Sequence, residues 1–467
     1  MRRLCRLTAL VVAALAAPAT ASAAAPPGEH SPNLTFVKNL RYAAHNGGTP
    51  NFGTDIEFAN IDGRRYALAG SYKNGMQIVD ITNPANARIV SRYDCGVTQG
   101  DIQVFRQSSK PGRVFVGYAS DTYGDGTSTC YREAERLGFY VRKPNGTGKN
   151  GTFIAEITDP LRPITRSFVE VPQGSHNHSI HPGGSYLYNS NSDLITSPLP
   201  AIEVYDIRDF LRPRLVTEIA LPTRPGLGTE SHDITFNRSG SRAYSAALSQ
   251  GVIIDTTKPA APTLLTSFLD PTINVWHQMD PFTLTDASGI KRDFLIAQDE
   301  FVGAVGTSQC PNGGVHIYDI TGANEQNPVK VGYWNIDDVR PTDEPEWRCT
   351  AHVLDVHEGR QVMTIAWYNG GVHVVDLSGL ASGEGMRRIG RYKVDGGESW
   401  SAKTPVIEPS GDFYLYSNDI QRGLDIFRFD RQGDPSSPGT WMSPAAYERF
   451  AASKPRVSSD YKLACLL

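Results

Sequence analysis

One phrase recurs along the chain and constrains it more than any other feature. It reads Gly75-Met-Gln-Ile-Val-Asp-Ile-Thr, then Ala201-Ile-Glu-Val-Tyr-Asp-Ile-Arg, Gly314-Val-His-Ile-Tyr-Asp-Ile-Thr and Gly371-Val-His-Val-Val-Asp-Leu-Ser. Altered copies are Phe153-Ile-Ala-Glu-Ile-Thr, Gly251-Val-Ile-Ile-Asp-Thr and Gly423-Leu-Asp-Ile-Phe-Arg-Phe. The matching positions are Asp80, Glu156, Asp206, Asp255, Asp319, Asp376 and Arg428. Seven copies at this long, uneven period predict propeller blades with insertions rather than a solenoid.

Each copy is one strand of four. In the first unit Asp55-Ile-Glu-Phe, Arg65-Tyr-Ala-Leu-Ala, Met76 to Ile81 and Arg88 to Tyr93 alternate with turns rich in Gly, Asn, Asp and Pro, the signature of antiparallel hairpins. The seventh unit lacks a fourth strand, whereas Asn33 to Leu40 precedes the first unit as a spare. The expected fold is therefore all-β, a seven-bladed β-propeller closed by its N-terminal strand, which leaves no blade with a missing edge. The Ile-Val-Asp-Ile-Thr-Asn-Pro stretch at 78–84 resembles the repeat of the LVIVD-repeat propellers, many of them secreted bacterial proteins. The resemblance covers about residues 33–430 and implies architecture; it implies little about activity.

The ends carry other expectations. Arg2, Arg3 and Arg6, an apolar run from Leu7 to Ala17, and Ala21-Ser22-Ala23 read as a signal peptide over 1–23; the run is too short to span a bilayer. Secretion to the extracellular side follows. Residues 431–467 read as a tail with one short helix near Met442 to Ser453. Net charge is −4 over 467 residues, which argues against nucleic acid and a polybasic membrane patch. A monomer without a membrane span is expected.

In an exported chain cysteines default to disulfides. Cys95 and Cys130 fall in neighbouring loops of the second blade, Cys310 and Cys349 in neighbouring loops of the fifth, which predicts these two pairs. Cys465 has no evident partner.

The repeated aspartate is read as a turn cap, because Asp accepts local backbone hydrogen bonds at strand exits. His316 and His373, inside the same repeat, are read as packing residues. The start of each innermost strand is more informative. Ser231-His-Asp-Ile aligns with Ser175-His-Asn-His and with Ala351-His-Val-Leu, and Trp276-His-Gln-Met adds a fourth. Around the propeller this slot reads Asp55, Asp101, His176, His232, His277, His352, Lys403, the last counted back from the turn at Gly411. Innermost strands line the channel, so the seven side chains are expected in one layer. Imidazoles at one height suit a divalent transition metal (copper, zinc, iron or manganese), with carboxylates as ligands or orienting groups. The structural alternative is that each histidine bonds a neighbouring backbone group, as in the WD-repeat propellers. His178 and His181 are offset along the strand, and His45 precedes the first slot.

Three long segments, Asp121–Asn150, Asp299–Gly313 and Asp337–Ala351, map to the slot end of the channel, and long loops often carry function. There Asp299, Glu300, Trp367, Tyr368, Asn418 and Asp419 are candidate contacts for a ligand or for the histidines. The functional expectation is a secreted propeller whose axial His/Asp site binds a divalent metal or small polar ligand, for oxidative or hydrolytic chemistry. The other reading is a non-catalytic scaffold that binds protein or carbohydrate on the loop-rich face. Phosphate loops, His-Glu-x-x-His and Gly-x-Ser-x-Gly motifs are absent.

Overall fold

A computed structural model describes residues 25–121, 124–191, 201–224, 228–301, 310–336, 349–433 and 438–453. The proposed signal peptide, Cys465 and most of the second and third long segments lie outside the described residues.

Seven antiparallel sheets surround one channel. Their innermost strands are Gly53–Ile61, Ile102–Phe105, Asn177–Ile180, Asp233–Phe236, Trp276–Thr285, Leu354–His357 and Ser399–Lys403, for blades 1 to 7. The third strands carry the repeat and are almost wholly buried, because each blade packs both faces against its neighbours. Every blade has a β-bulge between its third and fourth strands. The extra residue increases local twist, which suits outer strands that splay away from the axis.

The ring closes as the spare strand requires. Leu34–Leu40 pairs antiparallel with Gly423–Phe429 and becomes the outer strand of blade 7. Leu34 is fully buried in the cluster shared with Val374, Leu415, Phe427 and Phe429. Two blades have five strands instead of four. Gly28–His30 adds to Arg387–Val394 in blade 6, and Thr440–Met442 adds to Val329–Asn335 in blade 5. The tail helix is Pro444–Ser453; Tyr447 stacks on Tyr333 at 3.9 Å and its hydroxyl donates to the Thr272 carbonyl. Both chain ends thus cover sheet edges that would otherwise be open.

The repeated aspartates cap turns. Carboxylates of Asp80, Asp206, Asp255, Asp319 and Asp376 each accept from the backbone N–H two residues on, at 2.7–3.1 Å. His316 and His373 are buried between blades. Cys95–Cys130 and Cys310–Cys349 are disulfides with Cα separations of 5.1 and 5.0 Å. Cys130 lies on a helix, Thr129–Arg136, within the first long segment.

Leu34→Ala is expected to destabilise the protein by about 2–4 kcal/mol through loss of buried methyl groups in the closing strand, while Thr35→Ala, exposed on the same strand, shifts stability by less than about 0.5 kcal/mol. Urea denaturation compares them directly; equal effects would mean the strand does not seal the ring. Non-reducing peptide mapping is expected to return Cys95–Cys130 and Cys310–Cys349 peptides, and a Cys130–Cys310 peptide would contradict the blade assignment.

Candidate functional site

Strand register fixes the height of each channel residue. In every blade one second-strand residue lies four beyond the partner of the repeat position: Gly70, Ala119, Ser190, Ala246, Gln298, Ala366 and Asn418. These face Asp55, Asp101, Asn177, Asp233, Gln278, Val353 and Ser401 on the innermost strands. One residue earlier stand Thr54, Gly100, His176, His232, His277, His352 and Trp400. Two residues later stand Glu57, Gln103, Ser179, Thr235, Asp280, Asp355 and Lys403.

The seven expected slot residues all line one cavity of about 320 Å³, but in three tiers, not one. The four histidines form the upper tier. Asp55 and Asp101 sit one residue deeper; in blade 1 a bulge between Gly53 and Ile56 shifts the register. Lys403 sits three residues deeper, because the turn before Gly411 is longer in blade 7 than in blades 3 and 4, and Trp400 takes the histidine height.

The imidazoles form a continuous arc. Ring centroids are 4.3 Å apart for His176–His232, 4.3 Å for His232–His277 and 4.5 Å for His277–His352. Their hydrogen bonds orient them. His232 Nδ1 donates to the His277 carbonyl at 3.1 Å, and His352 Nδ1 to the Trp400 carbonyl at 2.6 Å. A carbonyl only accepts, so Nδ1 carries the proton in both rings. His277 Nδ1 lies 2.6 Å from Gln298 Oε1, while Gln298 Nε2 donates to the His352 carbonyl; that second bond identifies the amide oxygen as the atom facing His277. In His277 and His352 this turns Nε2 toward Glu300 and the cavity. His277 Nε2 and His352 Nε2 lie 3.5 and 3.6 Å from the Glu300 carboxylate. Ligating atoms of His232, His277 and Glu300 all fall within 4.8 Å of one another. His176 differs: its Nδ1 lies 3.3 Å from Asp121.

Electrostatics follow the partners. Burial, reinforced by neighbouring imidazoles, holds His232 and His352 well below the usual histidine range and His277 down to about 3. Burial also disfavours charge on His176, but Asp121, with Glu300 and Asp101, outweighs it and raises that pKa. Three neutral imidazoles beside a carboxylate are the protonation states a metal requires. Ions with bonds of about 2.0–2.2 Å fit this cluster after a small inward movement of its ligands.

Of the loop candidates, Glu300 and Tyr368 belong to the site. Tyr368 donates to Glu300 at 2.8 Å and its ring lies 4.3 Å from that of His352. Asp299 instead accepts from the backbone of Asn274 and Val275, and burial raises its carboxyl to about 6. Trp367 is buried against Trp334 between blades 5 and 6. Asp419 caps the turn at Gln421 and Arg422, and Asn418 accepts from the Tyr42 hydroxyl and donates to the carbonyls of Asp55 and Gly70. None of these four lines the cavity: a loop's position does not fix where its side chains point. His45 pairs with Asp94 at 2.9 Å, His178 with Asp101 at 2.9 Å, and His181 with the Gly240 carbonyl.

Sequence reading missed Gln298, Trp400, Asp121 and the lower carboxylates Glu57, Asp233, Asp280 and Asp355. A signal for two existed: His277–Asp280 and His352–Asp355 share one spacing, so both acids project from the same height. Lys403 Nζ lies 2.9 Å from Asp55 and 2.7 Å from Glu57; burial opposes its charge, but these carboxylates raise its pKa well above normal. Burial, with nearby carboxylates, lifts Asp233 to about 7 and Asp280 to about 8.

Protein labelled with ¹⁵N-histidine is expected to show His232, His277 and His352 as Nδ1–H tautomers in long-range ¹H–¹⁵N spectra at neutral pH. Gln298→Leu is expected to release His277 from that state and leave His232 in it; an unchanged His277 signal would count against the role of Gln298.

The LVIVD repeat family model matches residues 65–95, the second to fourth strands of blade 1. No curated protein matches the chain. Among solved structures, the β-propeller domain of Cps50 (Swd1) from Myceliophteria thermophila is 10% identical, with 85% of this chain and 99% of that one covered at a TM-score of 0.50. A periplasmic gluconolactonase of Pseudomonas aeruginosa, PpgL, is 12% identical, with 80% and 95% covered at 0.49. At such identities the likeness is one of fold. The chain is a seven-bladed β-propeller whose first blade matches the LVIVD repeat.

Proposed function

We propose that His232, His277, His352 and Glu300 hold a divalent transition metal at the upper end of the channel, with His176 beside it, and that the protein is a metal-dependent enzyme acting on a small polar molecule in the cavity below. The observation that carries this reading is the convergence of ligating atoms of His232, His277 and Glu300 within 4.8 Å, with the Nδ1 of His232, His277 and His352 each held by a hydrogen bond and the Nε2 of His277 and His352 turned to one carboxylate. Hydrogen bonds of this kind fix and strengthen metal-binding histidines. Copper, zinc, iron and manganese all suit imidazole and carboxylate donors. Such an ion supplies Lewis acidity for hydrolysis or, as iron or copper, electron transfer. Two disulfides suit an oxidising compartment, in keeping with an exported protein. Among the described residues no helix is long and apolar enough to cross a membrane.

Elemental analysis after reconstitution with each of the four metals, followed by dialysis, is expected to give about one ion per chain. The double variant His232→Ala/His277→Ala is expected to retain less than about a tenth of that, and Gln298→Leu to bind about 10–100-fold more weakly. A wild-type protein that takes up none of the four metals would overturn the reading and leave the channel face to a binding role without metal.

A further inference from the structure

We propose that the cavity beneath the histidine arc recognises a small organic cation, an amine whose ammonium group sits between Asp233 and Asp280. The inference rests on the reading of the arc as the reacting end of the cavity and names the chemistry of what lies below it.

The case is one of charge. Below the arc, Asp55 and Glu57 share one cation, Lys403, while Asp101 lies 2.9 Å from His178 and Asp355 3.2 Å from His357. Asp233 accepts from the Ile234 N–H, and Asp280 from the Gln278 amide; neither has an ion-pair partner among the described residues, and Lys403 acts on both only at longer range. Both line the cavity, on the adjacent blades 4 and 5. Carboxylates in a partly enclosed wall are costly unless a cation meets them, and an ammonium donates charge-assisted bonds to two at once.

A second observation points to a ligand independently. His176 is 4% exposed and lines the same cavity. Its Nδ1 is turned to Asp121, and its Nε2 has no hydrogen-bond partner among the described residues. The cavity therefore presents an imidazole nitrogen above and, below, two carboxyl groups that no cation meets at ion-pair distance. Trp400, Tyr368 and Phe236 also line it, and aromatic faces attract cations. A carboxylate or phosphate ligand would meet like charge. Asp233 and Asp280 lie one and three residues below the histidine height, so an ammonium between them is about 7 Å from the reacting group at about 3.3 Å per residue, within the reach of a flexible chain of six or seven atoms.

Three probes of one length isolate the charge: 6-amino-1-hexanol, 1,6-hexanediol and 6-hydroxyhexanoate. They are titrated calorimetrically into metal-free protein, where no amine or hydroxyl can bind through a metal. The amino alcohol is expected to bind at least tenfold more tightly than the diol, and the carboxylate not at all. Asp233→Asn/Asp280→Asn is expected to weaken the amino alcohol at least tenfold while still binding zinc with the wild-type stoichiometry, which also certifies its fold; Asp280→Asn alone serves if the pair does not fold. His232→Ala/His277→Ala is expected to keep the amine and lose the zinc. Equal binding of diol and amine, amine binding indifferent to both Asn variants, or no amine binding would overturn the proposal. Zinc uptake lost or kept by the histidine variants reports separately on the metal reading.

Discussion

A hydrogen bond from one blade to the next organises this channel. The ring of His232 in blade 4 donates from Nδ1 to the backbone of blade 5, and His352 in blade 6 does the same to blade 7. Gln298 relays the bond between His277 and blade 6. Neighbouring blades also meet through apolar side chains, which fix distance but not rotation about the strand axis, and through further polar bonds such as those of Asn418, Ser179 and Gln278. These directional bonds fix both. In His277 and His352 they also turn Nε2 toward Glu300, so the contact that clamps the blades also orients the ring toward the interior. The structural and ligand-binding readings of the histidines are consequently one interaction seen from its two ends.

Below the arc the channel changes character. The histidine tier is neutral over blades 4 to 6, held so by burial and by mutual repulsion among imidazoles. One and three residues deeper the wall is acidic, and Lys403 in the deepest tier pairs with Glu57 at its own height and reaches up to Asp55. Carboxylates this close repel and are kept ionised only where a cation stands beside them. The paired ones, Asp101 and Asp355, are held low by His178 and His357 against the opposing effect of burial. The unpaired ones concentrate on blades 4 and 5, beneath the histidines that approach Glu300. Reactive groups of both tiers therefore gather on the same side of the axis.

Much of this was legible in the chain. The repeat at Asp80, Asp206, Asp319 and Asp376 predicted blades because a third strand buried on both sides tolerates little change in pattern. The spare segment at Asn33 predicted closure because seven blades had one strand too few. The gap-free match of His176 to His232 held because blades 3 and 4 have equal turns. Lys403 did not hold its place for the converse reason: a longer turn in blade 7 moved it by three residues, and counting from a glycine cannot see that. Asp299, Trp367 and Asp419 lie close to the expected face, yet each side chain turns into a cap or a core. Spacing fixes backbone position; which way a loop side chain points depends on contacts across blades that no local pattern carries. Gln298 was invisible for that reason, since its worth lies in two bonds to other strands.

The asymmetry of the upper tier explains why a cavity exists at all. Four imidazoles and Trp400 occupy five of seven places, while Thr54 and Gly100 occupy the others. Gly100 has φ of +77°, and a Cβ there would lie 2.6 Å from the Tyr118 ring, so the position resists any larger residue. A seventh bulky ring would fill the axis and leave the lone pairs facing side chains. With blades 1 and 2 kept small, the arc instead faces open space, and the carboxylates of Asp55 and Asp101 line the cavity just beneath the gap. A repeated fold would by default place equal residues around its axis; this one has a filled side and an empty side, and the difference between them is the site.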